Sequence, residues 1–172
     1  MNIHETYNKN KKNFLFFDNK KIQEYKSEIL SRFNINNIDK KNNESLKNVS
    51  IKKFFDFDYR YNPSEDPAFT KKNKDGSYSI VLLNGQCEKY FDENITMQNL
   101  VSNNQNDYLK NKLSDKKDFF IDLNSLFLNS GFKLEIKKNK NVKIKISNII
   151  TEDNLTVFQR NYFICDDSSN VE

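Results

Sequence analysis

The chain has 172 residues, with 28 Lys and Arg against 24 Asp and Glu, for a net charge of +4 at neutral pH. Apolar residues make up 36%, under the about 45–50% usual in globular chains, although 15 Phe and 8 Tyr bury enough area for a thin core. The charges are interspersed, whereas a nucleic-acid reader gathers its basic residues on one face.

The cysteines, Cys87 and Cys165, have no paired spacing, which argues against a disulfide framework and fits a reducing compartment. The apolar run Phe14–Phe17 is too short for a signal peptide. No stretch approaches the ~18 apolar residues of a membrane span. The expectation is a cytoplasmic protein. With three Gly and two Pro, Asn and Asp must supply most of the turn chemistry.

In chain order, residues 1–13 are polar and are expected to fray. From Asn19, Ile22, Tyr25, Ile29 and Phe33 recur at helical spacing, which places one apolar stripe on one face. Asn19 or Asp18 can cap this helix by accepting a bond from its first free N–H groups. Residues 33–44 have no sustained period and are expected to form a loop. Leu46, Val49, Ile51, Phe54 and Phe55 fit a short turn of helix, closed by Pro63 and Pro67, neither of which can continue a helix interior. The division between an α-rich and a β part falls within 60–75, giving regions 1–72 and 73–172.

"YSIVLLNGQCEKYF" (78–91) holds two strand-like runs around Asn84-Gly85, the dipeptide best suited to a type I′ hairpin turn. Residues 95–117 are expected to be helical, anchored by Tyr108, Leu109 and Leu113. A further helix is expected over 118–129, with Asp118 as its N-cap and Phe120, Leu123 and Phe127 inward. Gly131 is placed to end it in a left-handed conformation. The apolar period then changes to two. Phe132, Leu134 and Ile136 oppose Lys133, Glu135 and Lys137, "KNKN" turns the chain, and Val142, Ile144 and Ile146 oppose Lys143 and Lys145. The run 155–165 is apolar on both faces in part, as for a strand covered on two sides. Strands with such short connections suggest a stacked β architecture, whose coils need further coils to bury their apolar faces.

Residues that could carry chemistry are few. His4, the single histidine, stands in the polar terminus, where the sequence sets no catalytic or metal-ligating motif around it, which removes Ser-His-Asp and Cys-His mechanisms. Cys87 and Cys165 suit iron–sulfur or zinc as thiolates, but two thiols do not complete a structural site. The carboxylates of "DFD" (56–58), "SED" (64–66) and "CDDSS" (165–169) can be read as acid–base pairs or a hard-metal site, but nothing in the sequence places them near one another, and solvated turns explain them as well. "NKDGS" and "LNGQ" hold one glycine each, too few for a phosphate cradle. The aromatic and lysine mixture of "IKKFFDFDYRY" can stack bases, and a core-facing segment with a polar edge explains it equally well. The residues alone predict a non-enzymatic α+β chain with no catalytic, cofactor-binding or metal-ligating residue.

"FFIDLNSLFLNSGFKLEIKKNKNVKIKISNI" (119–149) resembles the start of the β-helical core in the SufB/SufD family of iron–sulfur cluster assembly proteins. That region has a helix with Phe-x-x-Leu-Asn, a glycine seven residues after the Asn, then two strands joined by a turn; Phe120, Leu123, Asn124 and Gly131 stand at those positions. Arg160-Asn161 and Asp166-Asp167-Ser168-Ser169 resemble the family's next strand and acidic turn. "ESLKNVSIKKFFD" (44–56) is similar to a SufD segment with the pattern Glu-x-Trp-Lys-Tyr-Thr-x-Leu. Glu44, Lys47 and Ile51 match it, whereas Leu46, Asn48 and Val49 replace Trp, Tyr and Thr. "YSIVLLNGQCEKYF" fits the hairpin that follows in SufD. The family's Val-Pro-Lys-Gly is replaced by Ile136-Lys137-Lys138-Asn139, and a proline by Lys143.

The resemblance implies a small helical N-terminal domain followed by the first coils of a right-handed parallel β-helix, as in the N-terminal portion of a SufD-like scaffold. It implies partnership with a SufB-like β-helix protein and a SufC-like ABC ATPase, made through a C-terminal half that these residues do not include. The iron–sulfur cluster would be handled by the full complex, with none bound by this portion. The family's cluster-linked cysteine and histidine also lie in that half, so Cys87 and Cys165 inherit no role. The rival expectation is a standalone intracellular binding module for single-stranded nucleic acid.

Overall fold

A computed structural model describes residues 3–16, 18–32, 58–61, 68–100 and 119–172. It divides into two compact units, Met1–Tyr59 with Asn106–Phe127, and Arg60–Gln105 with Leu128–Glu172. The expected 33–44 loop, the 44–56 helical turn, Pro63, Pro67, the Asp118 cap and the anchors Tyr108, Leu109 and Leu113 lie outside the described residues.

The first unit is helical: α1 (Ile3–Asn10), α2 (Lys20–Arg32) and α3 (Phe119–Phe127). Residues 3–10 are ordered where fraying was expected. Ile3 and Tyr7, one turn apart, are both buried, and the Tyr7 ring stacks on Phe14 at 5.6 Å. Phe127 meets both rings edge-on, at 6.2 and 5.1 Å. Aromatic burial supplies the fixed packing that this polar stretch lacks by itself. Asn19 is the cap of α2: its Oδ1 accepts the Ile22 N–H at 3.1 Å, and its carbonyl accepts the Gln23 N–H at 2.9 Å.

Ile22 and Ile29 are buried as expected. Lys26, on the same face, is only 1% exposed. Its ammonium donates to the Leu15 carbonyl and lies over the Tyr7 and Phe14 rings, whose faces attract a cation. In α3, Leu123 and Phe127 are buried, but Phe120 is 44% exposed and points outward. Leu126 takes the inward place three residues after Leu123. Arg32 forks onto Asp122, with Nη2 at 2.9 Å from Oδ1 and Nε at 3.3 Å from Oδ2, and so ties α2 to α3.

The second unit carries the strands β1 (Phe69–Lys72), β2 (Tyr78–Leu83), β3 (Tyr90–Phe91), β4 (Ile95–Asn99), β5 (Ser130–Ile136), β6 (Asn141–Val142), β7 (Ile144–Ile149), β8 (Gln159–Cys165) and β9 (Asn170–Val171). They form three sheets, ordered β1-β2-β7, β3-β4-β5-β8 and β6-β9. The core is built by alternation: Tyr78, Ile80 and Leu82 of β2, Ile95 and Met97 of β4, and Phe132, Leu134 and Ile136 of β5 are buried together with Val142.

The expected helix over 95–117 begins as strand β4. Ile95 and Met97 alternate rather than step by three or four, and β5 offers β4 an antiparallel edge. The Asn84-Gly85 turn forms, with φ of 51° and 81° at its two centres, but only Leu83 and Gln86 pair across it. β2 is instead paired antiparallel to β1, through a turn at Asp75-Gly76, and parallel to β7. β8 is a sheet edge rather than a strand covered on both sides, and its Phe163 is 50% exposed.

Gly131 does not end a helix; it lies inside β5 with φ 141°. A Cβ there would stand 1.9 Å from the Arg160 carbonyl oxygen. Glycine is required by the close approach of β8.

The α+β class holds. A right-handed parallel β-helix is not shown, because both larger sheets mix antiparallel with parallel pairs. Two of the three parallel strand pairs, β5/β8 and β6/β9, nevertheless share a spacing, whereas β2 and β7 are paired at a different one. Ser130 through Ile136 pair with Gln159 through Cys165, and Asn141 and Val142 with Asn170 and Val171. Side-chain bonds between Asn129 and Phe158, and between Asn141 and Asn170, span the same 29 residues.

Candidate functional site

A connected polar cluster gathers at the turn between β3 and β4. Asp92 opens this turn by accepting the backbone N–H groups of Asn94 and Ile95 on Oδ1, at 2.8 and 2.9 Å, an Asx turn in which a short carboxylate replaces a backbone acceptor. Its other oxygen accepts the Tyr78 hydroxyl at 2.7 Å and the Tyr90 hydroxyl at 3.2 Å. The Asn94 amide completes the ring by donating to the Tyr78 hydroxyl at 2.9 Å. β2 brings Tyr78, β3 brings Tyr90, and the turn itself brings Asp92 and Asn94.

Charge surrounds the cluster. Lys72 pairs with Glu93 at 2.6 Å and lies over the Tyr78 ring. Lys137 donates to the Asp92 carbonyl oxygen, and its ammonium stands 4.3 Å from the centre of the Phe91 ring. Phe91 is 75% exposed, so the cation covers one face of an otherwise open aromatic. Burial pushes the Asp92 carboxyl up, but hydrogen bonds from Ile95, Tyr78, Asn94 and Tyr90 outweigh it and hold the group below its ordinary value. Burial, followed by the neighbouring carboxylate, raises both tyrosine hydroxyls. Both Asp92 oxygens are thus engaged by protein donors. The arrangement is suited to fixing the β3–β4 turn and is poorly suited to taking a proton from a substrate.

Residues singled out from the sequence do not converge. His4 is exposed on α1. Cys87 approaches the Gly131 carbonyl at 3.9 Å, beside the start of β5, whereas Cys165 pairs with Ile136 at its far end, about 16 Å along the strand. Both thiols are free; burial pushes Cys87 up to about 11. Asp58 is exposed, 4.0 Å from Lys9, while Asp56, Ser64, Glu65 and Asp66 lie outside the described residues. Asp166 and Asp167 sit in an exposed turn whose backbone is bonded to the turn below: Asp166 N–H donates to Ile136, and Asn139 N–H donates to Asp167. Among the described residues, no group of three or more His, Cys, Asp or Glu could hold a metal ion, and no helix is long and apolar enough to cross a membrane.

The Tyr78–Tyr90–Asp92–Asn94 cluster was not singled out from the sequence. The available signal was an aspartate two residues ahead of Asn94 and an alternating run, the pattern of an Asx turn leading into a strand. No protein-family model matches the chain, and no curated protein or solved structure matches it either.

Proposed function

We propose that the chain is the N-terminal portion of a SufD-like component of an iron–sulfur cluster assembly scaffold, acting through partners rather than by catalysis. The observation that carries this reading is the common 29-residue spacing of the parallel pairs β5/β8 and β6/β9. Equal spacing at successive strands is what a coiled chain produces when it advances by one strand separation per turn. The residues of the resemblance fall on these elements: Leu123 and Asn124 on α3, Gly131 on β5, Arg160-Asn161 on β8, and Asp166 to Ser169 in the turn before β9. The finer expectation, a right-handed parallel β-helix, belongs to this proposal.

The test is an affinity purification from the source cell with antibody raised against residues 1–172. The expected precipitate contains a SufB-like β-helix protein and a SufC-like ATPase. A tagged 172-residue chain, mixed with the same ATPase, is expected to retain none of it. Absence of both partners from the first precipitate overturns the assignment. Tight ATPase binding by the 172-residue chain overturns the placement of that interface in the C-terminal half.

A further inference from the structure

Asn84-Gly85 is the one Asn-Gly pair in the 172 residues. In such a pair the glycine nitrogen can attack the asparagine Cγ, because no Cβ on the second residue obstructs the approach. The attack expels ammonia and closes a five-membered succinimide. Water then opens the ring at either carbonyl, leaving aspartate or isoaspartate. Asparagine is for this reason among the thermolabile residues.

The folded turn restrains the asparagine side of that step. Asn84 is 1% exposed. Its amide nitrogen donates to Thr151 Oγ1 at 2.9 Å and to Glu152 Oε1 at 3.2 Å, so the leaving group is held. Its side-chain oxygen accepts the Thr151 N–H at 2.8 Å, and its backbone N–H donates to the Ile149 carbonyl at 2.8 Å. Glu152 is in turn held by Arg60, 2.7 Å from Oε2. These bonds fix the turn at Asn84 to the chain that follows β7.

We propose that Asn84-Gly85 is a fold-protected deamidation site, at which conversion occurs in opened molecules and the product cannot rebuild the turn's polar network. Conversion replaces the Asn84 Nδ2 donor with a carboxylate oxygen facing the Glu152 carboxylate. A donor–acceptor bond becomes a like-charge contact inside a buried site, an arrangement that low-dielectric surroundings penalise. Isoaspartate additionally inserts a methylene into the main chain of a turn whose φ angles are positive at both centres.

The experiment uses the full chain, held at mildly alkaline pH either folded in buffer or unfolded in guanidinium chloride. Conversion at residue 84 is followed by peptide mass mapping. The folded chain is expected to convert at least about tenfold more slowly, since reaction through rare opening scales with the open population. Equal rates overturn the protection. The product's fate is tested with Asn84→Asp, expected to denature at lower guanidinium concentration than the parent, and with Asn84→Asp combined with Glu152→Gln, expected to recover part of the loss. A parental midpoint for Asn84→Asp, or no recovery in the double variant, overturns the proposed consequence. If Asn84→Asp does not fold at all, the double variant decides alone: folding supports the charge clash, and failure to fold refutes it.

Discussion

Gly131 and Arg160 are directly paired in neighbouring parallel strands, and their backbones approach so closely that any side chain on Gly131 would meet the Arg160 carbonyl. The offending atom belongs to backbone and cannot rotate away. Gly131→Ala is therefore expected to destabilise the second unit by about 3–5 kcal/mol, because β8 must move from β5 or a buried ladder must distort. Gly76 is the control. It also has positive φ, at 83°, but no atom lies within 4 Å of the Cβ it would acquire. Gly76→Ala should lose only the conformational penalty of about 1–2 kcal/mol. Urea denaturation of the two variants separates these terms, and equal losses would refute the backbone clash.

Asp92 gives acid stability a definable component. Its folded carboxyl lies below the ordinary 3.8, because the hydrogen bonds from Ile95, Tyr78, Asn94 and Tyr90 outweigh burial. A depressed carboxyl stabilises the fold fully above its unfolded value, and the contribution is lost as pH falls through the folded value. Asp92→Asn is expected to cost about 1 kcal/mol at neutral pH. The difference from the parent should shrink as pH falls below 3.8. A difference constant from neutral to strongly acid pH, measured by denaturation at each pH, would show that Asp92 acts only through its shape.

The two thiols should differ in reactivity. Cys165 is exposed on the edge strand β8, whereas Cys87 is half-buried, approaches the Gly131 carbonyl and is pushed up from 9.0 to about 11 by burial. At mildly alkaline pH this lowers the Cys87 thiolate fraction by about a hundredfold relative to an ordinary thiol. A thiol reagent applied to the folded chain should label Cys165 first and Cys87 only after unfolding, as read by mass mapping. Comparable labelling rates in the folded chain would contradict the burial of Cys87.

What the sequence determined by itself is the local part of this fold. The α2 stripe with its Asn19 cap, the alternation of Phe132, Leu134 and Ile136, and the positive-φ turn at Asn84-Gly85 depend on atoms a few residues apart, and local sterics set them before any long-range partner is chosen. Tertiary structure decided which edges met. Ile95 and Met97 became strand because β5 offered an antiparallel edge. β2 paired with β7 rather than across its own Asn-Gly turn, and Tyr7 was ordered through rings that include Phe127, far along the chain. The Asp92 cluster was hidden for the same reason, since Tyr78 reaches it only after β2 and the β3–β4 turn share one core. Gly131 was legible as a special position, but its role was not. The atom that forbids a side chain there belongs to β8, and sequence alone does not state which strand will lie alongside.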